Sequence, residues 1–155
     1  MKKLWHFVGR VVFWMGWPFL YLYLFRSKRT RILVIHGSEV LVEKRWQGSG
    51  RWNLPGGGLH AGEKPAHGAA RELKEETGLG VNATELQYLF SGASAAEKGF
   101  NFTVYAFVLK LSAKPEFSKQ KFLLTHLEWT DWKKLYDDSK TDQSIRTIID
   151  AWQRS

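Results

Sequence analysis

Two kinds of patterning divide the chain. Residues 11–25 form an unbroken apolar run of 15, and carried back to Leu4 the stretch reads LWHFVGRVVFWMGWPFLYLYLF. A helix of that composition has no polar face to turn toward water. From Arg31 onward, apolar positions instead alternate or recur at helical spacing, which predicts a folded α+β domain. RILVIH (31–36) and EVLVEKRW (39–46) read as β-branched strands joined by a Gly37-Ser38 hairpin turn. Residues 47–50 read as a loop, 51–54 as a short extended piece and 55–58 as a glycine-rich turn. Residues 64–77 read as a helix, with Pro65 in its first turn and Gly78 where a C-terminal cap belongs. Strands are expected at 85–91, 100–111 and 122–130, the second alternating through Phe102, Val104, Ala106 and Val108, which assigns Phe102 to the core. A helical turn at 131–136 and a closing helix at 139–153 follow, with Ile145, Ile148, Ile149 and Trp152 on one face of the latter.

The N-terminal segment, residues 4–25, carries 9 of the 23 aromatics. Its length reaches the roughly 20 residues that a membrane-crossing helix needs, with His6 and Arg10 near one end where a long side chain can snorkel. Its aromatic crowding and Pro18 suit an interfacial or re-entrant helix equally well, because Trp and Tyr favour the headgroup level and Pro bends the helix. Arg26-Ser27-Lys28-Arg29-Thr30-Arg31 follows without a small-x-small cleavage site, so the segment is expected to stay attached. Four basic residues after the run against two before it place the following domain in the cytoplasm if the segment spans. The expected organisation is a membrane-associating segment at 1–28 and a folded domain at 29–155, with an N-terminal core helix as the alternative.

Composition narrows the function. A chain of 155 residues, 44% apolar and 25% charged, supports one domain with one core. The net charge of +8 is local: Lys2, Lys3, Arg10, Arg26, Lys28, Arg29 and Arg31 all precede the first acid, Glu39, and the remainder holds 16 bases against 15 acids. A surface built to grip long nucleic acid is therefore not expected. With no cysteine, a disulfide framework, a thiolate metal site and a cysteine nucleophile are excluded.

The chemistry concentrates between Gly57 and Leu79. At about 100° per residue, Glu72, Glu75 and Glu76 share one arc of the 64–77 helix, beside an apolar arc of Ala66, Ala69, Ala70 and Leu73. Like charges at these spacings cost a few tenths of a kcal/mol per pair, so a compensating cation is expected. Mg²⁺ is the natural candidate, with Mn²⁺ as a substitute, because it takes oxygen ligands and bridges carboxylates to phosphates. Gly56-Gly57-Gly58 lets backbone approach a metal or a phosphate closely.

These residues resemble the Nudix hydrolases, whose box reads G-x5-E-x7-R-E-U-x-E-E-x-G-U with U a bulky aliphatic residue. GGLHAGEKPAHGAARELKEETGL, residues 57–79, matches it at Gly57, Glu63, Arg71, Glu72, Leu73, Glu75, Glu76, Gly78 and Leu79. The resemblance implies an α/β/α sandwich with a mixed sheet, the box forming a loop, helix and loop. It implies Mg²⁺-dependent hydrolysis of a nucleoside diphosphate linked to another moiety. Glu72, Glu75 and Glu76 then become the metal ligands, with the Gly57 carbonyl or its neighbour at Gly56 as a fourth. Glu72, Arg71 and Glu75 are the catalytic candidates, Glu72 as base or sharing that duty and Arg71 as its orienting partner. In some members the base lies outside the box; of Glu85, Glu97, Glu116 and Glu128, Glu128 is the first choice here.

Plainer readings stand beside these. Arg71 and Glu75 at i,i+4 are also an ordinary exposed pair. Glu63 suits either metal or the positive helix start. His60 and His67 read as surface. Gly68 has no evident reason. Trp46, Trp52, Phe100 and Tyr105 offer stacking surfaces or core, and Lys44 and Arg45 either hold a phosphate or end a strand in solvent. A membrane-tethered pyrophosphohydrolase is the leading expectation. A nucleotide-sensing module without catalysis and a hydrolase of a lipid-linked diphosphate are its rivals. The proline that the ADP-ribose group of the family carries beyond its box is missing from 93–96.

Overall fold

A computed structural model of the chain describes residues 27–45, 51–95, 101–115, 117 and 125–155. The apolar N-terminal segment, Trp46, the 47–50 loop, Glu97, Phe100, Glu116 and residues 122–124 lie outside the described residues. Five strands form one sheet: β1 (Lys28–His36), β2 (Glu39–Arg45), β3 (Gln87–Ala95), β4 (Asn101–Lys110) and β5 (Thr125–Asp131), in the order β3-β4-β1-β2-β5. The central pair, β1 and β4, is parallel and the other pairings are antiparallel, so the sheet is mixed.

Helices cover both faces, which gives the α/β/α layering that the resemblance implied. One face packs Leu33, Ile35, Val40 and Val42 against α2 (Trp132–Asp137) and α3 (Gln143–Gln153) through Leu135, Ile145, Ile148 and Ile149. The other packs Ile32, Val34, Leu41, Phe107 and Leu109 against α1 (Pro65–Thr77) through Ala69 and Leu73. Burial on both faces explains why β1 reads as a continuous apolar run rather than an alternation.

Several boundaries differ from expectation for local reasons. β1 starts at Lys28, because its register with β4 begins at Lys28↔Thr103 and recruits polar residues that carry no apolar signal. Glu85 belongs to a 3₁₀ turn, Ala83–Glu85, where its Oε1 accepts the Asn82 N–H at 2.7 Å. Phe102 is half-buried rather than core: it lies near the start of β4, with the Arg29 guanidinium 5.1 Å from its ring centroid. The closing helix starts at Gln143 because Asp142 caps it, accepting the Ser144 N–H at 2.8 Å.

One irregularity positions everything functional. β1 and β2 pair only at Ile35↔Val40 and His36↔Glu39. Beyond that the chain from Asn53 to Leu59 enters between them. Asn53 exchanges both backbone hydrogen bonds with Glu43 of β2, while Ile32 and Thr30 donate to the Pro55 and Gly57 carbonyls at 2.9 and 2.8 Å. Leu59 then donates to Lys28 at 2.9 Å. The glycine turn thus serves as a substitute strand along β1, which satisfies that edge's backbone.

The core argument gives a stability prediction. Ile149 is fully buried between sheet and α3, so Ile149→Ala should lower the unfolding free energy by about 2–5 kcal/mol, read from the urea midpoint at unchanged m-value.

Candidate active site

The glycine turn is fixed by what a side chain would meet. Gly56 has φ +134°, and a Cβ there would run into the main-chain carbonyl of Thr30. At Gly57 a Cβ would fall on the Glu72 carboxylate. That carboxylate therefore lies directly against the turn, in space that only glycine leaves. Gly68 also acquires a reason: a Cβ there would meet the Leu59 side chain and the Glu63 carboxylate. The loss of about 1 kcal/mol in helix propensity accompanies close packing of the 59–63 loop on α1.

Arg71 ties the box together. Its Nε and Nη2 donate to the two carboxylate oxygens of Glu63, each at 3.0 Å. Nη2 also reaches the Gly58 carbonyl at 2.9 Å, and Nη1 reaches Glu72 Oε1 at 2.9 Å and Glu75 Oε2 at 3.3 Å. The Arg71 bonds and a further one from the His60 N–H hold the Glu63 carboxyl down at about 2. Glu63 is therefore neither a bare helix-start charge nor placed as a ligand; it is the bidentate partner of Arg71. Glu76 turns the other way, its Oε2 accepting the Gly56 N–H at 2.7 Å.

A cleft of about 650 Å³ opens over this assembly, lined by the glycine turn, by Glu72 and Glu76, and by Lys28, Arg29 and Arg31 of β1. The structure thus brings Gly57, Glu72 and Glu76 to one cavity. Glu75 is not in its lining; it is well exposed and leans on Arg71. Among the described residues, no three acidic or histidine side chains are gathered as a metal-holding group: Glu63, Glu72 and Glu75 converge on Arg71, while Glu76 accepts from the Gly56 N–H. The Gly57 carbonyl, named as a ligand, accepts the Thr30 N–H, and the Gly56 carbonyl accepts Arg31 Nη1 at 2.8 Å.

The donor set still fits a hard divalent ion. Carboxylate oxygens from one helix face meet a side-chain-free turn at an open cavity, as Mg²⁺ requires. Glu128 is exposed on β5 beside His126 and does not line the cleft. His60 and His67 are exposed, as expected, with His60 at the cleft rim. Trp52 packs against the core, and so does Tyr105. The sequence reading missed the cleft's basic residues: Lys28, Arg29 and Arg31 were grouped with the membrane flank, and only the pairing of the turn with β1 reveals their place.

A second cavity of about 450 Å³ lies between β3, β4 and the start of α3, with Phe90, Val104 and Ile148 as apolar walls and Arg51, Asp142 and Thr141 as polar ones. Thr141 is 5% exposed, and its Oγ1 has no hydrogen-bond partner.

Comparison with known proteins gives the family and the fold. The NUDIX domain family matches residues 20–151, and the chain belongs to that family. "Oxidized purine nucleoside triphosphate hydrolase" of Mus musculus is 47% identical over 55 residues, 34% of this chain and 35% of that protein. "Nudix hydrolase 2" of Arabidopsis thaliana is 33% identical over 108 residues, 65% of this chain and 37% of that protein. The chain spans between 14% and 40% of the length of the curated relatives that it matches. A solved NUDIX hydrolase from Nitrosomonas europaea superposes with a TM-score of 0.69 at 14% identity, covering 83% of this chain and 89% of that one, and so shares the fold.

Two outcomes test the site's construction. Gly57→Ala should fold but displace the Glu72 carboxylate and weaken Mn²⁺ binding, whereas Gly56→Ala should destabilise the whole domain through clash and backbone strain; calorimetry and thermal melts distinguish them. Because the Glu63 carboxyl is lowered from 4.5 to about 2 on folding, its pairing stabilises the protein above about pH 4.5 and is lost as pH falls toward 2. Glu63→Gln should flatten the stability profile across that window, measured by denaturant titration at each pH.

Proposed function

We propose that the chain is a Mg²⁺-dependent hydrolase of a phosphoanhydride bond in a nucleotide. One observation carries this reading: Glu72 and Glu76 stand at a side-chain-free turn inside a cleft that basic residues also line. The curated relatives from mouse and zebrafish, both named as oxidized purine nucleoside triphosphate hydrolases, support a nucleoside triphosphate substrate.

Glu72, Glu76 and, after leaving Arg71, Glu75 would hold the ion. When bound, Mg²⁺ supplies charge neutralisation at the phosphates and a water of lowered pKa. Arg71 fixes Glu72 through Oε1, which leaves Oε2, against Gly57, to take the proton of the attacking water. The Gly56 N–H holds Glu76 at the cleft floor. The second cavity suits the moiety attached to the phosphates. Val104 lines it and is the register partner of Arg29, which lines the cleft, so both side chains leave the same face of the sheet. The orphaned Thr141 hydroxyl offers that moiety a hydrogen bond.

The test is phosphate or pyrophosphate release from a panel of nucleotides with Mg²⁺ and with Mn²⁺. Glu72→Gln should lower kcat by about 10²-fold or more without loss of folding. Wild-type rates in that variant would remove the assignment, and a folded wild type that binds nucleotide without any turnover would replace hydrolysis by sensing. Membrane attachment, with the domain facing the cytoplasm, is a further part of this proposal. It rests on the composition of residues 4–25 alone. Recovery of the chain in the soluble fraction after lysis at physiological ionic strength, without alkali or detergent, would overturn it.

A further inference from the structure

The cleft contains a set of groups that the hydrolytic chemistry leaves unused. Lys28, Arg29 and Arg31 all line it, and all come from the first half of β1. The rest of the lining carries no permanent positive charge: Ser27, glycines, Leu59, Ala61, His60 and the two glutamates. From Ile32 to Ile35 the same strand is buried core, so packing gives no reason for three cations just before it.

Their arrangement is ordered rather than a loose surface cluster. Arg31 Nη1 donates to the Gly56 carbonyl at 2.8 Å and to the Thr30 carbonyl at 3.2 Å. Those bonds set the guanidinium plane against the same glycine whose N–H holds Glu76. Arg29 is braced over the Phe102 ring at 5.1 Å, which limits its swing. A planar fork fixed on main-chain carbonyls is matched to phosphate oxygens in a way that a mobile lysine is not. The adjacent carboxylates repel an incoming phosphate chain, and these cations supply the opposing field.

We propose that Lys28, Arg29 and Arg31 form the wall of the cleft that contacts the substrate's phosphates, with Arg31 as the anchored contact. This rests on the reading of the cleft as a phosphoanhydride site. It also reassigns three of the four basic residues at 26–31 from a lipid surface to the substrate.

The experiment uses the full-length chain in neutral detergent. Inorganic tripolyphosphate is titrated calorimetrically in EDTA, Mn²⁺ is titrated separately, and nucleotide hydrolysis is measured alongside. Arg31→Gln should weaken tripolyphosphate binding about tenfold or more, with part of the loss recovered in Arg31→Lys. Lys28→Gln and Arg29→Gln should each weaken it about two- to fivefold and make its salt dependence shallower. Lys110→Gln, exposed at the far end of β4, should bind like wild type. Mn²⁺ affinity should not fall in Arg31→Gln, since the residue places positive charge beside the carboxylates and occupies the Gly56 carbonyl.

Tripolyphosphate binding within twofold of wild type in Arg31→Gln would sink the wall, as would a parallel loss of Mn²⁺ binding, which marks a merely structural role. Failure of wild type to bind tripolyphosphate would sink it too. Turnover that needs Glu72 but ignores Arg31 removes only this inference. Arg31-dependent binding in a protein that cleaves no anhydride leaves it standing and removes the hydrolase reading instead.

Discussion

The whole arrangement depends on a turn that replaces a strand. β1 and β2 separate after two residue pairs, and the segment from Asn53 to Leu59 fills the gap with backbone hydrogen bonds to both. The approach to β1 is so close that Gly56 has no room for a Cβ against the Thr30 carbonyl. An ordinary hairpin would have continued the ladder and left no opening. Because the pairing is made by a loop, the strands splay and a cleft forms where β1 and β2 part, with main-chain groups at its floor.

Charge is then distributed around that floor by a few strong contacts. Arg71 draws Glu63, Glu72 and Glu75 toward one guanidinium and also grips the Gly58 carbonyl, so loop and helix are joined through one side chain. Glu76 is bound to the turn from the opposite side. The bonds from Arg71 and from the His60 N–H hold the Glu63 carboxyl well below the usual carboxylate range. The helix brings two carboxylates, Glu72 and Glu76, to the cavity, and the polar start of β1 brings groups of the opposite sign to it.

Much of this was legible in the sequence, for reasons that differ from element to element. α1 was readable because its apolar arc, Pro65 and Gly78 agree, and Gly78 does close the helix in a left-handed conformation with its N–H on Lys74. The β1–β2 hairpin and the buried face of α3 followed from short-range pattern. The start of β1 was not readable, since Lys28, Arg29 and Thr30 join the sheet through β4, which no local pattern encodes. For the same reason the cleft's cations went unnoticed. Phe102 was misassigned because alternation identifies a face, whereas burial also depends on distance from the strand's end. Gly68 made no sense by helix propensity, because the Leu59 and Glu63 side chains that exclude a larger residue come from the preceding loop.

The parallel pairing at the centre of the sheet has a consequence for biogenesis. β1 finds its partner only when residues 101–110 exist, far downstream, while the short hairpin to β2 covers just the last two positions of its other edge. A nascent chain therefore carries an apolar strand with open hydrogen-bonding groups until β4, Asn101–Lys110, has been made. Such non-local closure is slow, and an exposed strand edge invites pairing with other chains. The start of β1 sets Lys28, Arg29 and Arg31 along that edge, and like charge on a strand edge disfavours pairing between copies.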